Sequence, residues 1–228
     1  MIQKFHSRLL SEFNALKDPI RAEGQQRYMK SQMPYFGIKT PEVKKITNQI
    51  LKEFPIKSNK SYSDIIEYLF MNAKHREEWY VGSHIAIKYK TYIIEENLSL
   101  YLKIIKLTQW WDIIDAVATN LVGTAIKDSE KFKLYLCSWI DDENMWIRRT
   151  AILSQLKYKN ETNEDLLYEL ILKCAHEKEF FIRKAIGWIL REYSKSNPNS
   201  VKNFIFKNRK FLSNLSVREG GKKQPNFF

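Results

Sequence analysis

A carboxylate and an indole stand one helical turn apart in the stretch Trp111-Asp112-Ile113-Ile114-Asp115. On a helix turning about 100° per residue, Ile113, Ile114, Val117, Ala118, Leu121 and Ala125 make one apolar stripe. Trp111 and Asp115 are then i,i+4 neighbours at an edge of that stripe, and Asp112 points the other way, to solvent. An anion beside an apolar ring can stabilise a developing positive charge or position a water molecule. The same spacing also suits a tryptophan that merely shields a surface aspartate. A second constellation follows in Phe180–Tyr193, where Ile182, Ala185, Ile186, Ile189 and Tyr193 are apolar-facing and Trp188 lies at the stripe's edge among Lys184, Arg191 and Lys195. An aromatic ring among cations suits a nucleic-acid surface, the ring giving apolar contact and the cations holding phosphates; cation–π packing within the protein is the alternative. Third, Arg149 falls inside the apolar stripe Met145, Trp146, Ile152, Leu153 and Leu156. A guanidinium there must find an internal partner or face a ligand.

Other chemistries find little support. His6, His75, His84 and His176 make no metal-ligand pattern, and neither a glycine-rich phosphate loop nor a serine or cysteine nucleophile motif is present. No metal and no organic cofactor is implied. Cys137 and Cys174 show no metal spacing, and without a disulfide framework a reducing cytoplasm is the expected setting. The start, Met1-Ile2-Gln3-Lys4-Phe5-His6, lacks the apolar run of a signal peptide, and no apolar stretch is long enough to suggest a membrane span.

The elements that must hold these residues are helical almost everywhere. Helix starts are marked at Thr40-Pro41-Glu42, Ser63-Asp64, Thr162-Asn163-Glu164 and Asn197-Pro198. The periodicity predicts helices over 2–17, 20–31, 41–53, 63–72, 76–91, 97–107, 111–126, 129–140, 145–159, 163–176, 180–195 and 199–208. Trp111, Trp146 and Phe181 each open a long helix and are spaced 35 residues apart, twice in succession. This is a helix-pair repeat, loosely HEAT-like, and such units must stack to bury their apolar faces. Charge alternates with the helices: 145–160 and 180–195 are basic, 161–179 is acidic. In a stacked array one face would therefore be positive. The net charge of +12, from 38 Lys and Arg against 26 Asp and Glu, fits a polyanionic partner.

Several stretches resemble the AlkD-type DNA alkylation repair glycosylases: Arg27-Tyr28-Met29-Lys30, Gly37-Ile38-Lys39-Thr40-Pro41, Trp110–Asp115, Trp146–Leu153, Gln155–Tyr158 and, longest, Phe180–Tyr193. The resemblance runs over about residues 1–218. It implies an all-α fold, a right-handed superhelical solenoid of HEAT-like antiparallel helix pairs that cups duplex DNA in a concave basic face. It also implies excision of N3- and N7-alkylated purines, such as 3-methyladenine and 7-methylguanine, without a base-flipping pocket. The family's catalytic carboxylate maps onto Asp115, its two cleft tryptophans onto Trp111 and Trp188, and its cleft arginine, expected to bind DNA by gripping a phosphate or else to orient the carboxylate, onto Arg149. Tyr28, Lys157 and Arg191 map onto DNA-proximal positions, and Lys184 is placed with them on the basic helix.

The expectation is therefore a monomeric, monofunctional alkylpurine DNA glycosylase acting on duplex DNA that carries alkylated bases. The alternatives are a non-catalytic HEAT-like module for distorted or branched DNA, and a protein–protein scaffold. One repeat domain is expected over 1–219. The stretch Gly220-Gly221-Lys222-Lys223-Gln224-Pro225 opposes helix, so a flexible basic tail is expected over 220–228.

Overall fold

The computed structural model describes residues 1–222, and these are helical with no strand among them. The chain divides into two compact units, Met1–Ile93 and a second that begins at Ile94. The first unit holds α1 (Ile2–Ala15), α2 (Pro19–Met29), α3 (Thr40–Glu53), α4 (Asn59–Asn72) and α5 (Arg76–Lys88). Phe5, Leu9 and Phe13, one turn apart on α1, are fully buried. Asp18 caps α2 by accepting from the Arg21 amide, and Pro19 opens the helix where its missing N–H costs nothing. The predicted start at Ser63-Asp64 lies inside α4, which is capped by Ser58 instead.

The Gly37-Ile38-Lys39 turn has a structural role. Glu77, fully buried, accepts the amides of Phe36, Gly37 and Ile38 at 3.0, 2.9 and 3.1 Å. Three backbone donors satisfy a carboxylate that burial would otherwise make costly. Gly37 has φ +86°, and a Cβ there would stand 2.1 Å from the Asp18 carbonyl oxygen, so only glycine fits.

The second unit holds α6 (Leu98–Thr108), α7 (Trp111–Ala116), a π-helical segment (Val117–Val122), α8 (Gly123–Ile126), α9 (Phe132–Trp139), α10 (Met145–Leu153), α11 (Glu164–Cys174), α12 (Phe180–Tyr193), α13 (Pro198–Lys207) and α14 (Asn214–Gly221). The long helices that the spacing of Trp111, Trp146 and Phe181 marks out do stack: α7 packs on α10, α10 on α12, and α12 on α14. Asn197 caps α13 as expected, accepting from the Ser200 amide, and α11 is capped by Asn163, one residue after Thr162, accepting from the Leu166 amide. Two differences stand out. The helix predicted over 145–159 ends at Leu153, where Leu156 and Tyr158 close tighter three-residue bonds to Leu153 and Gln155. The single helix predicted over 111–126 is continuous but widens into the π turn, and Thr119 Oγ1 and Asn120 Nδ2 donate to the carbonyls of Asp115 and Ala116.

The break expected at Gly220-Gly221 is not observed, because α14 runs through both residues and buries them. Their propensity cost is offset by close packing on α12. A Cβ on Gly187 would lie 2.4 Å from Glu219 Cβ and 3.0 Å from the Ser216 carbonyl oxygen. The two helices thus meet backbone to backbone, which only small residues allow. The rest of the expected tail, 223–228, lies outside the described residues. Gly187→Ala should force α12 and α14 apart. The expected cost is about 1–3 kcal/mol, read as a melting temperature lower by roughly 2–4 °C per kcal/mol. An unchanged melting curve would show that the contact is slack.

Candidate functional site

α7 begins at Trp111 after Trp110, whose extended backbone turns the chain into the helix. Trp110 packs against Trp146 and Phe181, with ring centroids 6.3 and 5.6 Å away, and the latter two are 4.9 Å apart. The three rings join the N-terminal ends of α7, α10 and α12. The spacing aligns Trp111 with Trp146 and Phe181, but the packing partner is Trp110, which leaves Trp111 half-buried at the edge.

Above this aromatic cluster lies the arginine that the apolar stripe made anomalous. Arg149 is buried and donates to Asp115 from two nitrogens, Nε to Oδ1 at 2.8 Å and Nη2 to Oδ2 at 2.9 Å. Its Nη1 donates to the Phe181 carbonyl, and its guanidinium lies 5.9 Å from the Phe181 ring centroid. All of these contacts are internal, so the partner that the sequence demanded is Asp115. The bidentate fork fixes the plane of the carboxylate and leaves each oxygen a second lone pair. The Asp115 side chain keeps 17% of its exposure against 5% for Arg149, so the anion, not the cation, meets the exterior. Burial raises the Asp115 carboxyl above the ordinary range; hydrogen bonding and attraction from Arg149 oppose this, and Asp112 adds to it.

The opening faces a cavity of about 390 Å³. Trp111, Asp115 and Arg149 line one side, and Phe180, Phe181, Lys184, Trp188 and Arg191 of α12 line another. Six of the eight residues singled out from the sequence are therefore brought to one place. Lys157 is exposed elsewhere on this unit, its ammonium on Asn120 Oδ1, and borders a separate cavity with Lys195. Tyr28 belongs to the first unit, near the end of α2, with 78% of its surface exposed.

Sequence reasoning missed Glu219, which completes the cavity wall. This buried carboxylate accepts from Lys222 at 2.6 Å, Arg191 at 2.9 Å and Lys184 at 3.3 Å. The Lys222 hydrogen bond, with Lys184 behind it and burial opposing, holds its carboxyl down to about 2. It is an anion at any working pH, and it fixes the two cavity cations to one anchor. A signal was available: Glu219 is the only acid after Glu192. Its place depended on α14 continuing past the two glycines.

The arrangement puts a fixed anion, two indoles and two anchored cations on the wall of one cavity. It can stabilise positive charge at a group pressed between the rings while the cations hold a neighbouring anion. Among the described residues no group of three or more His, Cys, Asp or Glu is placed to hold a metal ion, and no helix is long and apolar enough to cross a membrane.

Residues 9–223 match the family model described as DNA alkylation repair enzyme. A solved structure described as a predicted DNA alkylation repair enzyme from Enterococcus faecalis is 32% identical, with a TM-score of 0.82. That match covers 92% of this chain and 97% of the other. No curated protein matches the chain.

Proposed function

The chain belongs to the DNA alkylation repair enzyme family, and from that premise we propose that it is a monofunctional DNA glycosylase for N3- and N7-alkylated purines in duplex DNA. The observation that carries this reading is the Asp115 carboxylate, held in plane by Arg149 and lining one cavity together with Trp111 and Trp188. An N3- or N7-alkylated purine is already cationic and needs no protonation to leave. Its bond to C1′ breaks with the electron pair going to the base, which departs neutral. The sugar is left as an oxocarbenium-like cation. Asp115 stabilises that charge and orients a water, whose oxygen bonds to C1′ and whose proton is lost through the carboxylate to solvent. The products are the free base and an abasic site.

Trp111 and Trp188 press against the sugar and backbone and exclude bulk water. Lys184 and Arg191, anchored on Glu219, hold a phosphate. Arg149 is a positioning residue that orients Asp115. The cavity lining carries rings and charges but no amide or hydroxyl side chain. Those rings and charges suit contact with the sugar and phosphate, and the proposal includes no recognition pocket for an extruded base. A monomer acting in the bacterial cytoplasm or nucleoid, with Lys157 and Tyr28 as further DNA contacts, completes the proposal.

The test is release of 7-methylguanine or 3-methyladenine from methylated duplex DNA. Its pH dependence carries a further expectation. The reaction needs Asp115 ionised, and burial raises its pKa, so release falls as pH drops through a value above the ordinary 3.8. Nearby phosphates push in the same direction. A kcat/KM profile flat down to pH 4 would contradict a buried carboxylate as the working group.

A further inference from the structure

The C-terminal end of α13 and the turn that follows it carry two aromatic rings in water. Phe206 is 84% exposed and Phe211 is 55% exposed. Neither lines the cavity described above. Exposed cations surround them: Lys202, one turn before Phe206 on the same helical face, then Lys207, Arg209 and Lys210. The stretch is folded tightly. The Phe211 and Leu212 amides donate to the Asn208 carbonyl at 3.0 and 3.2 Å, and buried Leu212 pins the turn. Lys210 Nζ lies 4.9 Å from the Phe211 ring centroid, and Arg209 donates to Asn214. None of the four cations meets a carboxylate among the described residues. At the opposite, N-terminal end of α13, Asn197 donates to Glu164. One cation would complement the helix dipole. Four, interleaved with two bare rings, exceed that need.

We propose that this end of α13 and the turn 208–212 form a second nucleic-acid surface, one that binds single-stranded DNA. Phe206 and Phe211 stack on unpaired bases, and Lys202, Lys207, Arg209 and Lys210 follow the phosphates. Stacking requires unpaired bases, so duplex DNA cannot use the rings. An anionic membrane fits less well. Apart from Phe206, the large apolar side chains of α13, Val201, Phe204 and Ile205, are buried within the unit, so no continuous apolar face is left to insert. DNA is favoured over RNA because the family acts on DNA. The site is independent of Asp115 and its cavity, and it would hold the protein on single-stranded stretches beside a lesion.

The test uses the full chain and a labelled oligothymidine, read by fluorescence anisotropy. Phe206→Ala/Phe211→Ala should weaken binding about ten-fold. Lys207→Ala/Lys210→Ala should flatten the salt dependence by roughly 0.7 per cation removed. All four side chains are exposed, so folding is not at risk. Base release from a short methylated duplex should be unchanged in both variants, which separates this claim from the one about Asp115. Equal oligothymidine affinity in wild type and the phenylalanine variant overturns the proposal. So does tighter binding to oligouridine, or to phosphatidylserine vesicles, that the same double substitution abolishes.

Discussion

Asp115→Asn should lower base release from methylated duplex DNA by about a hundred- to a thousand-fold, with duplex affinity changed by no more than a few-fold. Asparagine keeps the size of the side chain and one oxygen for Arg149, but removes the charge that stabilises the sugar cation. The loss should fall on kcat, since the charge matters only once the cation develops. The ion pair makes the control important. Asp115 and Arg149 are joined by two hydrogen bonds, so the substitution also leaves a buried guanidinium without its counter-ion. A melting curve for the variant, and an assay run well below its midpoint, separate lost chemistry from lost folding. A variant that releases base within a few-fold of wild type removes the carboxylate from the mechanism. A wild type with no release, but with tight duplex binding, favours the non-catalytic module.

The helical period carried much of this site. It put Trp111 and Asp115 on one edge and Lys184, Trp188 and Arg191 on another, and all five line one cavity. It marked Arg149 because a guanidinium in an apolar stripe must be compensated, and the compensation is Asp115. What the period could not carry depends on contacts between helices. Glu219 reaches Lys184 and Arg191 only because α14 continues through Gly220 and Gly221, and a local propensity scale opposes that continuation. The scale omits the close approach that glycine permits at Gly187. Lys195 was grouped with Trp188 on sequence, yet it pairs with Glu192 and borders the other cavity. The π turn at Val117–Val122 left no mark in the apolar pattern, although it follows Asp115 directly and draws Thr119 and Asn120 back to the carbonyls of Asp115 and Ala116.

Arg149→Met should reveal whether the guanidinium is a structural prop, a phosphate ligand or the orienting partner of Asp115. Methionine fills the stripe but leaves Asp115 buried without its partner. Breaking such a pair from one side costs about 3–5 kcal/mol when both groups are fully buried. Asp115 keeps 17% of its exposure, so the lower end applies, and the melting temperature should fall by roughly 6–12 °C. The same loss moves the pH profile. Arg149 opposes the upward push of burial on Asp115, so its removal raises that pKa further and shifts the acid limb of base release to higher pH. A merely structural prop would lower the melting temperature without moving the limb. A phosphate ligand would raise KM and reduce the salt slope of duplex binding by about one, again leaving the limb in place. Asp115→Asn combined with Arg149→Met should be more stable than Arg149→Met alone, because the second change removes the stranded anion. A double-mutant cycle with no coupling between the two sites, together with an unmoved acid limb, would show that the fork between them does not set the charge on Asp115.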